Sequence, residues 1–246
     1  MTEGHFTAGG ERYAQFRPHY PAALAQALAA LAPAKRIAVD IGCGSGQLTT
    51  LLAPHFERVI GVDPSESQLA SAHQHAGVSY HCAPAENTGL PEHSADLITV
   101  AQAAHWFDLP AFCNEVRRIA SPGAALALIS YGVPYIEDPI NAIFQKGYWQ
   151  DVYRFWSPER RHVETGYADL NLPFNPLAAP DHDCRASLSL AGLIGYITTW
   201  SAYATAQKAG DTTAFEQFFE SLSRAWGDAG EKTVVWPVSV KAARIG

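Results

Sequence analysis

Seven residues, Asp40-Ile41-Gly42-Cys43-Gly44-Ser45-Gly46, concentrate the chain's chemistry. An apolar run that carries one carboxylate ends in three glycines at alternate positions. Glycine loses more conformational freedom on folding than any other residue, so the cluster needs either a left-handed turn or a ligand lying against bare backbone. Asp63 closes a second apolar run 23 residues after Asp40. That interval is near the one at which an acid reaches the two hydroxyls of a ribose, and a carboxylate can accept from both. Further on, Ala85-Glu86 stand in P-A-E-N-T-G-L-P, where a base edge would be read. After the next apolar run, Gln102-Ala103-Ala104-His105-Trp106-Phe107 sets a titratable imidazole beside an indole.

The glycine pattern is G-x-G-x-G, not the G-x-G-x-x-G of dinucleotide sites. Asp40, two residues before the first glycine, would repel a pyrophosphate and favour a ligand bearing positive charge. The loop is therefore expected to hold a cationic nucleoside. His105 is the candidate general base for a nucleophile that carries a proton; a carboxylate nucleophile needs none.

These residues must be positioned by the elements around them. Pro21 to Pro33 reads as a helix bracketed by prolines. Apolar runs at 36–41, 58–63, 78–82, 95–102 and 124–132 alternate with helical stretches at 48–56, 67–77 and 111–120, which indicates βαβ units around a parallel sheet. Each candidate group then falls just beyond the carboxyl end of a strand, where open α/β sheets bind ligands. Beyond Tyr131 the regularity breaks into a stretch rich in Trp, Tyr, Phe and Arg. Helices are expected at 138–156, 190–204 and 211–226, and a strand at 233–245. The organisation expected is an N-terminal lid and first helix (1–33), a ligand-binding core (34–132), a helical and aromatic cap contributing the substrate site (133–205), and a C-terminal helix and strand completing the sheet (206–246).

The chain has 246 residues, 48% of them hydrophobic, and a formal net charge of −7. No basic stripe argues for nucleic acid, and no run approaches a membrane span. The four cysteines, Cys43, Cys82, Cys113 and Cys184, form no C-x-x-C pair, so neither a disulfide framework nor a zinc site is expected. His73-x-His75 faces two sides of a helix, and Asp181-His182-Asp183-Cys184 reads as a loop entering a strand, so no metal is expected. There is no G-x-S-x-G elbow for a serine nucleophile. A cytoplasmic monomer or homodimer, with no nucleic-acid and no membrane partner, is the expectation.

Asp40 to Gly46, Asp63, Ala85-Glu86 and the AQAAHWF stretch resemble the ordered motifs of class I S-adenosylmethionine-dependent methyltransferases, over about residues 5–132. Y-x-x-F-R-P-x-Y-P (Tyr13 to Pro21), His105-Trp106 and G-Y-x-x-T-W-S-A (Gly195 to Ala202) are similar to the trans-aconitate methyltransferase branch. The resemblance implies a doubly wound, Rossmann-like, mostly parallel seven-stranded sheet with a helical cap after the fifth strand. It implies S-adenosyl-L-methionine as cofactor, held by Asp40, Gly42, Cys43, Gly44, Gly46, Asp63, Pro64, Ala85, Glu86, Gln102 and Tyr20. His105, Trp106 and Arg17 are the catalytic candidates, with the N-terminal segment closing over the site. The acceptor implied is a small molecule, methylated on a carboxylate or hydroxyl oxygen. Gln102 to His105 replaces the [DN]-P-P-[YF] of amide and exocyclic-amine methyltransferases, which argues against DNA or protein amides. The alternatives are a nicotinamide-dependent oxidoreductase, disfavoured by Asp40 and the glycine spacing, and a non-catalytic S-adenosylmethionine-binding protein, disfavoured by the intact motifs.

Overall fold

The computed structural model describes residues 16–179, 182–228 and 230–246. The first fifteen residues of the expected lid, Tyr13 among them, and Asp181 lie outside these. Contacts divide the chain into two compact units. A sheet unit takes Tyr20–Gly132, Arg161–Asp183 and Pro237–Gly246; a helical unit takes residues 16–19, Val133–Arg160 and Cys184–Trp236.

The strands are β1 (Ile37–Ile41), β2 (Arg58–Asp63), β3 (Val78–Cys82), β4 (Ala95–Ala101), β5 (Ala120–Tyr131), β6 (Asn175–Leu177), β7 (His182–Leu188) and β8 (Lys232–Arg244). Their order is β3-β2-β1-β4-β5-β8-β6, with β7 also pairing β8. The first five are parallel, and β8 runs antiparallel to β5 and β6. This is the mostly parallel Rossmann-like sheet expected, with one strand more than seven among the described residues, because neither β6 nor β7 carries an apolar run. The strand order reverses at β1, with β2 on one side and β4 on the other, so the switch point falls beside Asp40. β1, β4 and β5 are apolar nearly throughout because both faces are covered.

The helices are α1 (Ala22–Leu31), α2 (Gln47–Leu52), α3 (Glu66–Ala70), α4 (Leu109–Ile119), α5 (Ile140–Lys146), α6 (Arg160–Glu164), α7 (Leu190–Thr198), α8 (Ser201–Ala209) and α9 (Thr213–Trp226). α4 shows how local sequence sets an element. Asp108 accepts from the Ala111 N–H at 3.1 Å and Pro110 sits in the first turn, while Phe112, Cys113, Val116 and Ile119 form one buried face.

Three expected helices are shorter than the pattern suggests, each because tertiary or local bonds take the backbone. α3 stops at Ala70 rather than continuing to 77: the His73 N–H turns to the Ser45 carbonyl and the His73 carbonyl accepts from the Tyr80 hydroxyl. The expected helix at 138–156 widens after Lys146 into a π-turn at Gly147–Asp151, where Gly147 is packed against the Phe218 ring. The one at 190–204 breaks between α7 and α8, where the Thr198 and Thr199 hydroxyls donate to the carbonyls of Gly195 and Tyr196. Ser121-Pro122-Gly123, expected to precede a strand starting at 124, is instead carried inside β5 by a register shift against β4.

Candidate active site

The loops after β1, β2, β3 and β4 lie on one edge of the sheet unit. The β1 loop is pinned to β2 through the Gly42 and Cys43 N–H groups, which donate to the Val62 carbonyl at 2.7 and 3.1 Å. Gly42, Gly44 and Gly46 all take left-handed φ, at 70°, 53° and 80°. A Cβ at Gly42 would lie 2.5 Å from that of Ala103, so the loop after β4 rests directly on the loop after β1. A Cβ at Gly46 would strike the Tyr80 hydroxyl. Those two glycines thus also admit close packing within the protein. Gly44 is different. A Cβ there would meet nothing nearer than Gln68 Oε1 at 3.8 Å, so its surface is open as a ligand cradle requires.

Asp40 is 1% exposed, and its two oxygens accept from Thr49 Oγ1 at 2.7 Å and Thr99 Oγ1 at 2.8 Å. Burial pushes its pKa up to about 6 against the opposing pull of the two hydroxyls, and nearby Asp63 adds to the rise. Asp40 therefore lies buried beneath the loop, with both oxygens occupied by threonine hydroxyls. Asp63 occupies the rim. One oxygen accepts from the Gly44 N–H and the other from the Ser65 N–H, both at 2.9 Å, and each keeps a lone pair for a further donor. Cys43 supplies backbone rather than chemistry, since burial first, then Asp40 and Asp63, hold its thiol far above the range in which it ionises. Pro64 follows Asp63 in the turn, and its carbonyl accepts from the Cys82 thiol.

The third loop is tied to the fourth. Glu86 Oε1 accepts from the Asp108 N–H at 2.9 Å, and Ala85 is 4% exposed in the core below. In the fourth, Gln102 takes a left-handed φ of 58°, and its amide donates to the Tyr131 carbonyl at 3.2 Å. Its side chain braces β5, so the structure gives it a supporting place. Tyr20, the other outlying cofactor candidate, is 7% exposed and packs against the Tyr131 ring.

His105 Nδ1 lies 3.1 Å from the Tyr167 hydroxyl, and its ring leans on Trp106 at 4.6 Å between centroids. Trp106 is one of the few large apolar side chains left exposed. Tyr167, absent from the sequence reading, is fully buried at a left-handed φ of 61°, a strained conformation for an aromatic residue. The end of α6 imposes it. Gly166 turns left-handed against Ser239, and the Tyr167 N–H closes back on the His162 carbonyl at 2.7 Å. Tyr80 is the other residue the sequence does not signal; it fills the space that side chains at Gly46 and Gly61 would need.

Arg17 belongs to the helical unit, where its guanidinium lies 5.6 Å from the Tyr196 centroid and donates to the Thr199 carbonyl. No group of His, Cys, Asp and Glu among the described residues could hold a metal, and His73 and His75 are exposed.

A glycine loop over a buried acid, a carboxylate on the next loop and a histidine after β4 thus gather at the carboxyl edge of a Rossmann-like sheet, where such sheets bind ligands. The chain belongs to the class I S-adenosylmethionine-dependent methyltransferases. A family model described as a methyltransferase domain matches residues 39–128. A Dictyostelium discoideum protein named as a methyltransferase is 36% identical over 241 residues, spanning 95% of this chain and 92% of its own length. A Saccharomyces cerevisiae protein named as an S-adenosylmethionine-dependent methyltransferase is 27% identical over 168 residues, 63% of this chain and 58% of its own. The solved structure of an Anaeromyxobacter dehalogenans protein named as a type II methyltransferase is 43% identical with a TM-score of 0.86, covering 94% of this chain and 98% of that one.

Proposed function

We propose that this methyltransferase transfers its methyl group to an oxygen of a small-molecule acceptor, a hydroxyl or a carboxylate. The observation that carries this reading is the His105–Tyr167 pair beside exposed Trp106, on the loop whose Ala103 touches Gly42. S-adenosylmethionine, when bound, supplies a methyl already activated on a sulfonium. The open Gly44 backbone and the free lone pairs of Asp63 would hold its nucleoside, Ala85 and Glu86 border the base, and Asp40 supplies negative charge beneath.

The protein's remaining task is placement and water exclusion. For a hydroxyl acceptor, His105 would take the proton as general base, its ring oriented by the Nδ1 contact with the Tyr167 hydroxyl. For a carboxylate, no proton moves, and His105 and Trp106 serve as a wall. The resemblance of the N-terminal and late motifs to a small-acid branch supports a small acceptor, as does the acidic balance, which suits no nucleic acid. Arg17 is the helical unit's candidate for an anionic acceptor. Among the described residues no helix is long and apolar enough to cross a membrane.

A panel of phenols, alcohols, carboxylic acids and amines, assayed with methyl-labelled donor, tests the reading. Label is expected in ether or ester products of small oxygen acceptors. Turnover on RNA or protein with none on small molecules would overturn it.

A further inference from the structure

Two left-handed residues follow each other after α6, Gly166 at a φ of 63° and Tyr167 at 61°. Glycine enters that region freely, whereas an aromatic residue stays there only where its surroundings impose it. The turn from His162 to Leu170 supplies that constraint. Asp169 closes it as a clasp, one oxygen accepting from His162 Nδ1 at 2.7 Å and the other from Thr165 Oγ1 at 2.8 Å. Burial works against the Asp169 charge, but Thr165 and His162 prevail and hold its pKa below the usual carboxylate value. From β8, Lys241 Nζ donates to the Ala168 carbonyl at 3.0 Å and to the Leu170 carbonyl at 2.6 Å. Thr165 and Asp169 are exposed, while Tyr167 between them is buried, with its hydroxyl 3.1 Å from His105 Nδ1.

We infer that Asp169 is a positioning residue for His105: by clasping Thr165 and His162 it keeps Tyr167 left-handed, and Tyr167 in turn sets the imidazole. Lys241 is the second anchor of the same turn. An exposed carboxylate bonded within its own turn ordinarily adds little to stability. Here the turn it closes carries a buried phenol against an imidazole. Relaxing Tyr167 to an ordinary φ would re-aim its Cα–Cβ bond and carry the hydroxyl away from His105. That the contact bears on transfer to a hydroxyl rests on the function proposed above; that Asp169 governs the contact does not.

Histidine NMR on the full-length chain, without donor or acceptor, tests this through the titration midpoint of His105. Tyr167→Phe removes the hydroxyl and gives the reference shift. Asp169→Ala should move the midpoint in the same direction. Asp169→Asn should move it less, since it loses the charge but keeps an acceptor for Thr165. Asp169→Ala in the Tyr167→Phe background should add nothing. With hydroxyl acceptors, Asp169→Ala should lower kcat by about tenfold with KM little changed, and this loss should vanish in the Tyr167→Phe background. If Asp169→Ala fails to fold, Lys241→Met takes its place and should shift the midpoint in the same direction. No shift in Tyr167→Phe, or none in the folded turn variant, would overturn the inference. So would equal shifts in Asp169→Ala and Asp169→Asn, or a further shift in the double variant, because Asp169 would then act through its charge. Transfer assays keep the two readings apart. If His105→Ala leaves hydroxyl transfer intact while the midpoint shifts appear, the proposed function falls and the positioning stands. If His105→Ala abolishes that transfer but the turn variants leave the midpoint unmoved, the positioning alone falls.

Discussion

Asp40 and Asp96 lie on adjacent strands of one sheet, both almost wholly buried, and are treated in opposite ways. Asp96, at the start of β4, accepts from the Arg36 guanidinium at 2.7 Å, the Arg36 N–H at 2.9 Å and the Ser121 hydroxyl at 2.7 Å. Burial works against its charge, but Arg36 and these donors prevail and its pKa falls below the usual carboxylate value. Asp40, near the end of β1, has two threonine hydroxyls and no cation among its bonded partners, and its pKa rises to about 6. The acid at the amino edge is complete within the fold. The acid at the carboxyl edge is left with charge that a cationic ligand would complete. The amino edge thus serves stability, and the carboxyl edge is the one we propose for binding.

That contrast predicts effects that separate cleanly, and the largest belongs to the carboxyl edge. His105→Ala should slow transfer to hydroxyl acceptors by about 10²–10⁴-fold, the range for a positioned base, with far less effect on carboxylates and none on the melting temperature. Tyr167→Phe should show the same selectivity at smaller size and shift the pH profile of hydroxyl transfer; equal losses on both acceptor types would make the pair structural. Asp96→Ala should do the reverse. Removing it strands the donors it satisfies and costs about 3–4 kcal/mol of stability, read by denaturant unfolding, while S-adenosylhomocysteine affinity in the folded protein holds. A loss of affinity without a loss of stability would erase the distinction between the edges.

Asp63→Ala comes next, with S-adenosylhomocysteine binding expected to weaken by about 1.5–3 kcal/mol in calorimetry. Unchanged affinity would leave Asp63 as a clasp for the Gly44 and Ser65 amides only. The smallest effect is the most diagnostic. Asp40→Asn should weaken S-adenosylmethionine, which carries the sulfonium charge, by about tenfold without lowering stability at neutral pH, because a buried ionised group is removed. The folded pKa of Asp40 is raised above 3.8, so its contribution to apo stability is fully present below about pH 4 and is lost as the pH climbs through about 6. The cationic ligand prefers the ionised acid, so affinity should rise over that same interval and stay flat in Asp40→Asn. A flat profile in the native chain would mean that Asp40 is not felt by the ligand.

Much of this site is legible in the sequence because parallel strands buried on both faces write long apolar runs, and each run delivers its motif to the same edge. Asp40, Asp63, Glu86 and His105 could be placed that way. The reasons behind individual residues were less visible. Gly42 and Gly46 answer to Ala103 and to Tyr80, contacts made by loops and strands distant in sequence. Tyr167 reaches His105 because 161–183 packs with the sheet after the chain has passed through the helical unit. Arg160 reads like Arg161 next to it, yet one meets Tyr148 and the other is exposed. No local pattern separates them, since only the packing decides which of two adjacent arginines faces inward.

The pairing of β5 with β8 has a consequence for the order of synthesis. Residues 125–131 find their partners at 238–244, after more than a hundred residues have intervened. Until those partners leave the ribosome, β5 presents an apolar strand with a row of unpaired amides and carbonyls, a template for any passing chain. A nascent chain stalled or cut before Val238 would hold the whole β3-β2-β1-β4-β5 array with one raw edge. Chaperone dependence should therefore persist until residues 238–244 are made, and deletion of residues 238–246 should harm solubility more than their small share of the core suggests.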